Sequence, residues 1–300
     1  MIKKILITGT SGQIGWELVR SLQGLGEIVA PSRKILDLRD AARIREVVRE
    51  VAPDLIVNAA AYTAVDQAEQ EPELAMAING DAPGVLAEEA VRQGAVLVHY
   101  STDYVFDGAQ REPYTEAAQP NPLNVYGRSK LAGEQAIAAS GAAHVILRTS
   151  WVYGLRGSNF LLSIMRAARS RAELRIVSDQ YGAPTWCRTV AELSAHIVTQ
   201  GTAAGEGLDW WHARSGIYHL SAQGRSTWHD FAQLIVNRMD LAARPQVLPI
   251  SAREHAAVAE RPVNSLLDNG KLAEVFGLRA PSWQAGLGLC LGVEPAQPLA

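Results

Sequence analysis

Short apolar runs alternate with amphipathic segments along the first half of the chain. Five runs are mainly apolar: residues 5–7, 27–30, 55–58, 95–100 and 144–149. Such runs are typical of strands that are buried on both faces of a parallel sheet. The segments between them carry apolar residues at helical spacing, as at Ile44, Val47 and Val48. This alternation predicts an α/β protein with a Rossmann-type, doubly wound parallel sheet.

The alternation weakens after residue 150, which indicates a change in architecture. We therefore predict a Rossmann domain over residues 1–150 and a smaller C-terminal α/β lobe over residues 151–300. Part of the chain is able to cross back between these two regions.

The second half contains fewer clear elements than the first. Helices are predicted near residues 188–199 and 227–239, and the second is opened by Thr227 with Asp230 three positions later. Residues 217–220 suggest a strand. The stretch before this strand, from residue 201 to 216, is predicted to be a linker or surface loop.

Composition excludes several classes of protein. The 300 residues are 48% hydrophobic and 20% charged, with a formal net charge of -3, and no block of basic residues favours nucleic acid. No apolar run approaches the ~18 residues of a membrane span. The apolar run within residues 1–9 is too short for a signal peptide and is expected to be a strand. Two cysteines, Cys187 and Cys290, are too few for a disulfide framework or a zinc site, so we expect a cytoplasmic protein.

A glycine-rich turn follows the first strand and opens a helical pattern. Glycines with the spacing GxxGxxG allow a tight turn and let backbone N–H groups approach a pyrophosphate at the helix N-terminus. The alternative is an ordinary strand-to-helix turn, but the position after an N-terminal strand favours dinucleotide binding. The candidate cofactor-binding residues here are Gly9, Ser11, Gly12, Gln13, Ile14 and Gly15.

The end of the second strand bears on the choice of cofactor. NAD-binding folds often have a carboxylate here for the ribose 2′-hydroxyl, whereas this chain has Arg33 and Lys34. These cations suit a 2′-phosphate, so we expect NADPH, with NADH possible; the alternative is that they are solvated loop charges. Asp37, followed by Leu38, could accept a hydrogen bond from the adenine amino group or cap the next helix.

Three alanines follow the third strand. Ala59, Ala60 and Ala61 would let a flat cofactor pass close to the backbone, although they could equally be packing residues. Thr63, just beyond them, could reach the nicotinamide ribose. Both features lie at the carboxyl end of a strand, where ligands of parallel sheets bind.

The stretch from residue 101 to 130 carries the candidate catalytic groups. Thr102 ends the fourth strand, and Tyr126 and Lys130 are four positions apart, on one face of a predicted helix. A phenol ionises near pKa ~10, and a neighbouring ammonium would lower that pKa. Alone, this pair could be a surface lysine beside a tyrosine. Together with the glycine turn and Thr102, it indicates proton transfer to a carbonyl, under a long loop at residues 107–123.

The sequence resembles the extended short-chain dehydrogenase/reductase family. The motifs that carry the resemblance span nearly the whole chain. They are residues 8–18, VNAAAYTAVD at 57–66, STDYVF within 99–106, NVYGRSKLAGE at 124–134, and residues 148–153, 159–160, 179–185 and 261–265. The resemblance implies NADPH-dependent reduction of the C4 ketone of dTDP-4-dehydro-L-rhamnose, with a dTDP-sugar as the partner molecule.

The resemblance also implies roles for individual residues. Tyr126 would donate the proton, Lys130 would lower its pKa and hold the cofactor ribose, and Thr102 would polarise the ketone. The substrate pocket would use Thr102, Asp103, Tyr104, Trp151, Asn159, Gln180 and Arg261. The fork of Arg261 suits a diphosphate, with a structural salt bridge as the alternative.

Other activities and assemblies exist among proteins that this chain resembles. One alternative is an epimerase or dehydratase with tightly bound NAD, and another is a non-catalytic regulatory subunit. Some similar proteins are magnesium-dependent dimers with acidic interface residues. Glu17 matches one such position, but Arg188 stands where a second carboxylate is expected. We therefore predict no structural metal, and a monomer or homodimer.

Overall fold

The computed structural model describes residues 2–255 and 257–292. The first residue of the predicted region 1–150 and the last eight of the predicted region 151–300 lie outside the described residues. The strands are β1 Lys4–Thr8, β2 Glu27–Val29, β3 Leu55–Asn58, β4 Val96–Thr102, β5 His144–Thr149, β6 Val152–Tyr153, β7 Glu173–Val177, β8 Tyr181–Gly182, β9 Thr185–Trp186, β10 Gly216–His219, β11 Ser226–Thr227 and β12 Gln246–Ile250. The helices are α1 Gln13–Ser21, α2 Ala41–Val51, α3 Val65–Ala68, α4 Pro72–Met76, α5 Ala82–Gln93, α6 Val125–Ala139, α7 Phe160–Ala168, α8 Cys187–Ala203, α9 Leu208–Ala213, α10 Trp228–Arg238, α11 Ala252–His255, α12 Gly270–Phe276 and α13 Trp283–Leu291.

A six-stranded parallel sheet forms the centre of the molecule. Its strand order is β10-β5-β4-β3-β1-β2, and all five predicted strands of the first half belong to it. One face is covered by apolar side chains of α1, α8, α9 and α12, and the other by those of α2, α5 and α6. The predicted α/β fold with a doubly wound parallel sheet is confirmed. Within the described residues, no helix has the length and apolar character needed to cross a bilayer.

The stretch from residue 201 to 216 differs from its prediction as a loop. It contains the end of α8 and all of α9, which buries Trp210 and Trp211 in the core beneath the sheet. Gly201 allows this packing, because a Cβ there would lie 2.3 Å from the ring of Trp211. Beyond α9 the chain enters the main sheet as β10, so the sixth strand comes from the second half.

The remaining elements form a second layer of short strands and helices. Strands β7 and β12 pair in parallel, as do β6 and β9, while β8 and β11 are antiparallel. Helices α7, α10 and α13 enclose a separate core around Phe231 and Trp283. The capping box expected at Thr227 and Asp230 is present at the start of α10.

A buried ion pair connects α6 to the central sheet. Arg148 of β5 donates to Glu134 of α6 from Nε at 2.8 Å and from Nη2 at 2.6 Å, and each side chain is only 2% exposed. Ser101 of β4 also donates to the Glu134 carboxylate. The three groups tie the helix to two neighbouring strands.

Removing one member of this pair should destabilise the protein strongly. We expect Arg148→Met to lower the free energy of unfolding by about 3–5 kcal/mol, because the Glu134 carboxylate would remain buried without its partner. Urea unfolding followed by circular dichroism measures this. The exposed pair of Arg175 and Glu254 is the control, for which Arg175→Met should cost about 0–1 kcal/mol. Equal small losses for both variants would contradict the assignment.

Candidate active site

The glycine turn brings the start of α1 into backbone contact with the end of β3. Gly9 has φ +69°, and a Cβ there would lie 2.5 Å from the backbone nitrogen of Ala60. A Cβ on Gly15 would lie 2.2 Å from the carbonyl oxygen of Gly9. Gly12 is the N-cap of α1 and provides no side-chain cap. Side chains are thus excluded where a pyrophosphate would meet the first N–H groups of the helix.

Gln13 and Asn159 join the glycine turn to the second layer. Asn159 Nδ2 donates to Gln13 Oε1 at 2.8 Å, and Gln13 Nε2 donates to Val152 O at 3.4 Å. Asn159 also caps α7, because its Oδ1 accepts from Leu162 N at 3.1 Å. The structure therefore gives the polar groups of Asn159 structural partners, although it was predicted as a substrate contact. Ile14 packs against the core beneath the sheet, and Ser11 is exposed.

The predicted adenosine-side residues lie close together after β2. Arg33 is exposed, and Leu38 is buried in the core. Arg39 Nε donates to both carboxylate oxygens of Asp37, at 3.0 Å to Oδ1 and 2.9 Å to Oδ2. The hydrogen bond from Arg39 lowers the pKa of this carboxyl to about 2. The capping alternative for Asp37 is wrong, because Asp40 caps α2. Arg39 is a cation at this edge that the sequence pattern did not single out.

The run after β3 lies open beside the glycine turn. Ala59, Ala60 and Ala61 are half-buried and Thr63 is exposed. The backbone of Tyr62, between Ala61 and Thr63, is fixed because its N–H donates to Asn79 Oδ1 at 2.8 Å. Ala59 and Ala60 pack partly against the cores on either side of the sheet, as the packing alternative expected, and their small size also leaves the backbone open to a flat cofactor.

Thr102 and Asp103 are buried where β4 ends. Thr102 Oγ1 donates to Asp103 Oδ1 at 3.0 Å and accepts from Tyr104 N at 3.1 Å. In the described part of the chain, Asp103 Oδ2 has no hydrogen-bond partner. Burial raises the pKa of Asp103 to about 7, against hydrogen bonds from Ser265 and Thr102 that lower it. This carboxyl therefore holds its proton close to neutral pH.

Tyr126 lies in the first turn of α6, near Thr102. Asn124 caps the start of this helix, because its Oδ1 accepts from Gly127 N at 2.8 Å. The ring meets that of Tyr104 edge-on, with centroids 5.6 Å apart. Burial raises the pKa of Tyr126 to about 12, while a hydrogen bond with Thr102 lowers it. Thr102 and Tyr126 thus converge, but the predicted lowering of the phenol pKa is not found in this structure.

The amine of Lys130 is directed at β4, which explains why it does not lower the pKa of Tyr126. Lys130 is 1% exposed, and its Nζ donates to Tyr100 O at 2.6 Å and lies 3.1 Å from His99 Nε2. Burial lowers the pKa of Lys130 to about 8, against the Glu134 charge that raises it. His99 was not recognised from the sequence. Its signal was a polar residue within an otherwise apolar strand.

Trp151 has an unusual backbone beside the candidate site. Its φ is +47°, a left-handed conformation that costs energy in a bulky residue and often marks functional sites. The ring stacks on Trp228, with centroids 3.6 Å apart, and a Cβ on Gly182 would lie 2.4 Å from it. These contacts hold the ring in place directly after β5.

Gln180 and Arg261 line one cavity of about 250 Å³. Arg261 Nη2 donates to Asp66 Oδ2 at 2.7 Å and Nη1 donates to Ala259 O at 3.1 Å, so the structural salt bridge is present. Burial lowers the pKa of Arg261, but Asp66 and Tyr104 outweigh it and raise that pKa above its ordinary value. The structure therefore brings Tyr104, Gln180 and Arg261 to one side of the site. Asp66 was missed, because only the fold reveals its partner.

Glu17 and Arg188, the two residues compared with the acidic interface residues of magnesium-dependent dimers, form an ion pair. Arg188 Nε donates to Glu17 Oε2 at 3.1 Å. Across residues 2–255 and 257–292, no group of three or more His, Cys, Asp or Glu side chains could hold a metal ion.

The parallel sheet, the glycine turn and the convergence of Thr102 with Tyr126 define a Rossmann-type protein of the extended short-chain dehydrogenase/reductase class. The model of the family described as RmlD substrate binding domain matches residues 3–294. The chain belongs to this family.

Individual relatives resemble the chain over nearly its full length. A dTDP-4-dehydrorhamnose reductase from Burkholderia thailandensis is 44% identical over 297 residues, covering 96% of this chain and 98% of the relative. Another from Salmonella typhimurium is 41% identical over 291 residues, covering 94% and 95%. A solved dTDP-4-dehydrorhamnose reductase from Bacillus anthracis, in complex with NADP, has a TM-score of 0.89 at 35% identity, covering 97% of this chain and 99% of that one.

The buried carboxyl of Asp103 should make stability fall as pH rises. Its pKa is about 7 when folded against 3.8 as the ordinary value, so the folded state holds a proton that the unfolded state loses between these values. The cost is on the order of 4 kcal/mol and is complete above pH 7. Asp103→Asn should flatten this decline and be more stable than the parent at pH 8, measured by urea unfolding from pH 4 to 8.

Asp66 provides a control with the opposite sign. The hydrogen bond from Arg261 lowers the pKa of Asp66, so its stabilising effect is present above the unfolded pKa and lost as pH falls. Asp66→Asn should therefore be less stable than the parent at pH 8. If Asp103→Asn and Asp66→Asn changed stability in the same direction at that pH, our account of the two carboxyls would be wrong.

Proposed function

We propose that this protein is a reductase that transfers hydride from NADPH to the C4 ketone of dTDP-4-dehydro-L-rhamnose, forming dTDP-L-rhamnose. The observation that carries the proposal is that Thr102 and Tyr126, both in contact with Tyr104, converge at the carboxyl edge of the parallel sheet, where the glycine turn also lies. It occurs in a chain that is 44% identical to a dTDP-4-dehydrorhamnose reductase along 297 residues.

The residues around the glycine turn fit the cofactor. NADPH, when bound, supplies the hydride. The N-terminus of α1 at Gln13 would hold the pyrophosphate, and the alanines after β3 would contact the ring system. The exposed Arg33 would supply positive charge at the edge where a 2′-phosphate would lie, beside Arg39, whose charge is shared with Asp37. A bound dinucleotide in the solved Bacillus anthracis reductase supports this choice.

Tyr126 is the proposed proton donor. Burial keeps its phenol protonated at neutral pH, which is the state a donor needs before a ketone is reduced. The Thr102 hydroxyl would share the ketone oxygen and fix its distance from the phenol. Lys130 would hold the cofactor ribose after leaving its contacts with β4.

The substrate would bind on the side of Tyr104, Gln180 and Arg261. The guanidinium of Arg261 has five N–H donors, so it can bind a diphosphate while its bond to Asp66 holds it in place. Trp151, held by Trp228, offers a flat apolar surface to the sugar.

We extend the proposal to organisation and location. Residues 1–150 would bind the dinucleotide and most of residues 151–300 would bind the nucleotide sugar. The reaction would take place in the cytoplasm, where the buried free thiols of Cys187 and Cys290 stay reduced.

A spectrophotometric assay tests both substrate and cofactor. We expect substrate-dependent loss of NADPH absorbance with dTDP-4-dehydro-L-rhamnose made in situ, and slower oxidation of NADH. Arg33→Ala should raise KM for NADPH about tenfold by removing one phosphate contact, and leave KM for NADH unchanged. The exposed Arg171→Ala is the control. Purification with tightly bound NAD, or no oxidation of either cofactor by protein that binds NADPH, would exclude the proposal.

Replacing Tyr126 by Phe tests the proton donor. We expect kcat to fall by a factor of about 100 or more, because general-acid catalysis is lost, with nearly unchanged affinity for NADPH in fluorescence titration. Tyr218→Phe is the matched control, since its hydroxyl donates to Arg214 O in the core and should affect stability only. Lost NADPH binding with normal residual turnover would reject Tyr126 as the acid.

A further inference from the structure

A buried row of polar side chains crosses the sheet beneath the candidate active site. Thr8, Asn58 and His99 are register partners on β1, β3 and β4, and their exposed fractions are 3%, 0% and 0%. The row ends at Lys130 of α6. Polar groups at this depth are retained only when their hydrogen bonds are satisfied, so the direction of each bond can be worked out.

The orientation of the Asn58 amide sets the direction of the first bonds. Ala60 N–H donates to Thr8 Oγ1 at 3.2 Å, and Thr8 uses its one hydroxyl proton to donate to Asn58 Oδ1 at 2.6 Å. The amide oxygen of Asn58 therefore faces Thr8. Its Nδ2 faces His99 Nδ1 at 3.0 Å and donates to it.

The tautomer of His99 follows from this contact. A neutral imidazole that accepts at Nδ1 carries its proton on Nε2. Burial keeps the pKa of His99 well below its usual value, so the ring is neutral whether or not Lys130 carries a charge. Its Nε2–H then faces Lys130 Nζ at 3.1 Å.

This donor distinguishes the two charge states of the lysine. An ammonium has only donors and cannot accept from Nε2–H, whereas a neutral amine has a lone pair for it. The neutral amine still donates to Tyr100 O at 2.6 Å. The contact with β4 is therefore complete only when Lys130 is uncharged.

We propose that the Thr8–Asn58–His99 row makes His99 a positioning residue, which stabilises the contact of the neutral Lys130 amine with β4, so that the amine leaves this contact towards Tyr126 when it gains a proton. This inference rests on the role proposed for Lys130 in the reductase.

Other ionisable groups lie on the elements packed around this amine, and the charge of Glu134 raises the pKa of Lys130. Tyr126 and Glu134 share its helix, Arg148 comes from β5, and Asp103 follows β4. Glu134 is already paired with Arg148. The proton on His99 Nε2 is therefore the feature that favours the neutral amine of Lys130 over its ammonium.

Asn58→Asp should reverse the direction of the hydrogen bonds that His99 makes with residue 58 and with Lys130. A carboxylate accepts from Thr8 and also from a proton on His99 Nδ1, so Nε2 becomes an acceptor for the ammonium of Lys130. Long-range ¹H–¹⁵N NMR of the cofactor-free protein should find the His99 proton on Nε2 in the parent and on Nδ1 in the variant. In the dependence of kcat on pH, the ionisation assigned to Lys130 should move up by about one pH unit.

His99→Gln provides the same test without a buried acid, and decides the matter if Asn58→Asp does not fold. Its amide can turn an oxygen to the ammonium, so the same upward shift in the kcat profile is expected. Asn269→Asp is the control. That half-buried amide hydrogen-bonds to the backbone of Ser221 and is not part of the row, so the substitution should leave the pH profile unchanged. A parent His99 with its proton on Nδ1, or a His99→Gln profile that superimposes on the parent's, would overturn the proposal. Absent turnover with the expected tautomer would refute the reductase assignment instead.

Discussion

The distance between the candidate acid and the strand that carries Thr102 depends on one buried ion pair. Glu134 lies two turns after Tyr126 on α6, and it binds Arg148 of β5 and Ser101, the residue directly before Thr102. The helix and two strands therefore meet at a point that excludes water, where an ion pair is geometrically demanding and costly to break. Because Thr102 and Tyr126 come from elements that meet here, their separation is a property of the core and not of a loop.

Most of the central sheet could be predicted because its evidence is local. Strands β1 to β5 are apolar runs of adjacent residues, and the capping box at Thr227 lies within four positions. The failure at residues 201–216 has a physical cause, since Gly201 lies within α8 and admits Trp211, and only Gly205 and Gly207 belong to a turn. The two-residue strands β6, β8, β9 and β11 are too short to carry any periodicity.

The sequence indicated that two of the candidate residues would lie close together, but it did not reveal the contacts of the others. Thr102 and Tyr126 converge as their positions suggested, but Arg261 pairs with Asp66 across 195 positions, and Asn159 contacts Gln13 across 146. Such partners are chosen by the fold, so a single sequence contains no spacing that reveals them. The direction of the Lys130 amine belongs to the same class of fact, because it depends on His99 in a neighbouring strand.

The return of the chain into the sheet as β10 has a consequence for how such a protein can change over time. Strand β5 obtains its outer neighbour from residues 216–219, after the chain has already built β6 to β9 and α8. A single crossover near residue 150 would separate a strand from its neighbour and expose its backbone groups. The part of the chain that we propose to bind the sugar therefore cannot be exchanged as a C-terminal cassette. New specificity would have to arise by substitutions within it, or by recombination with two breakpoints that keep β10 in place.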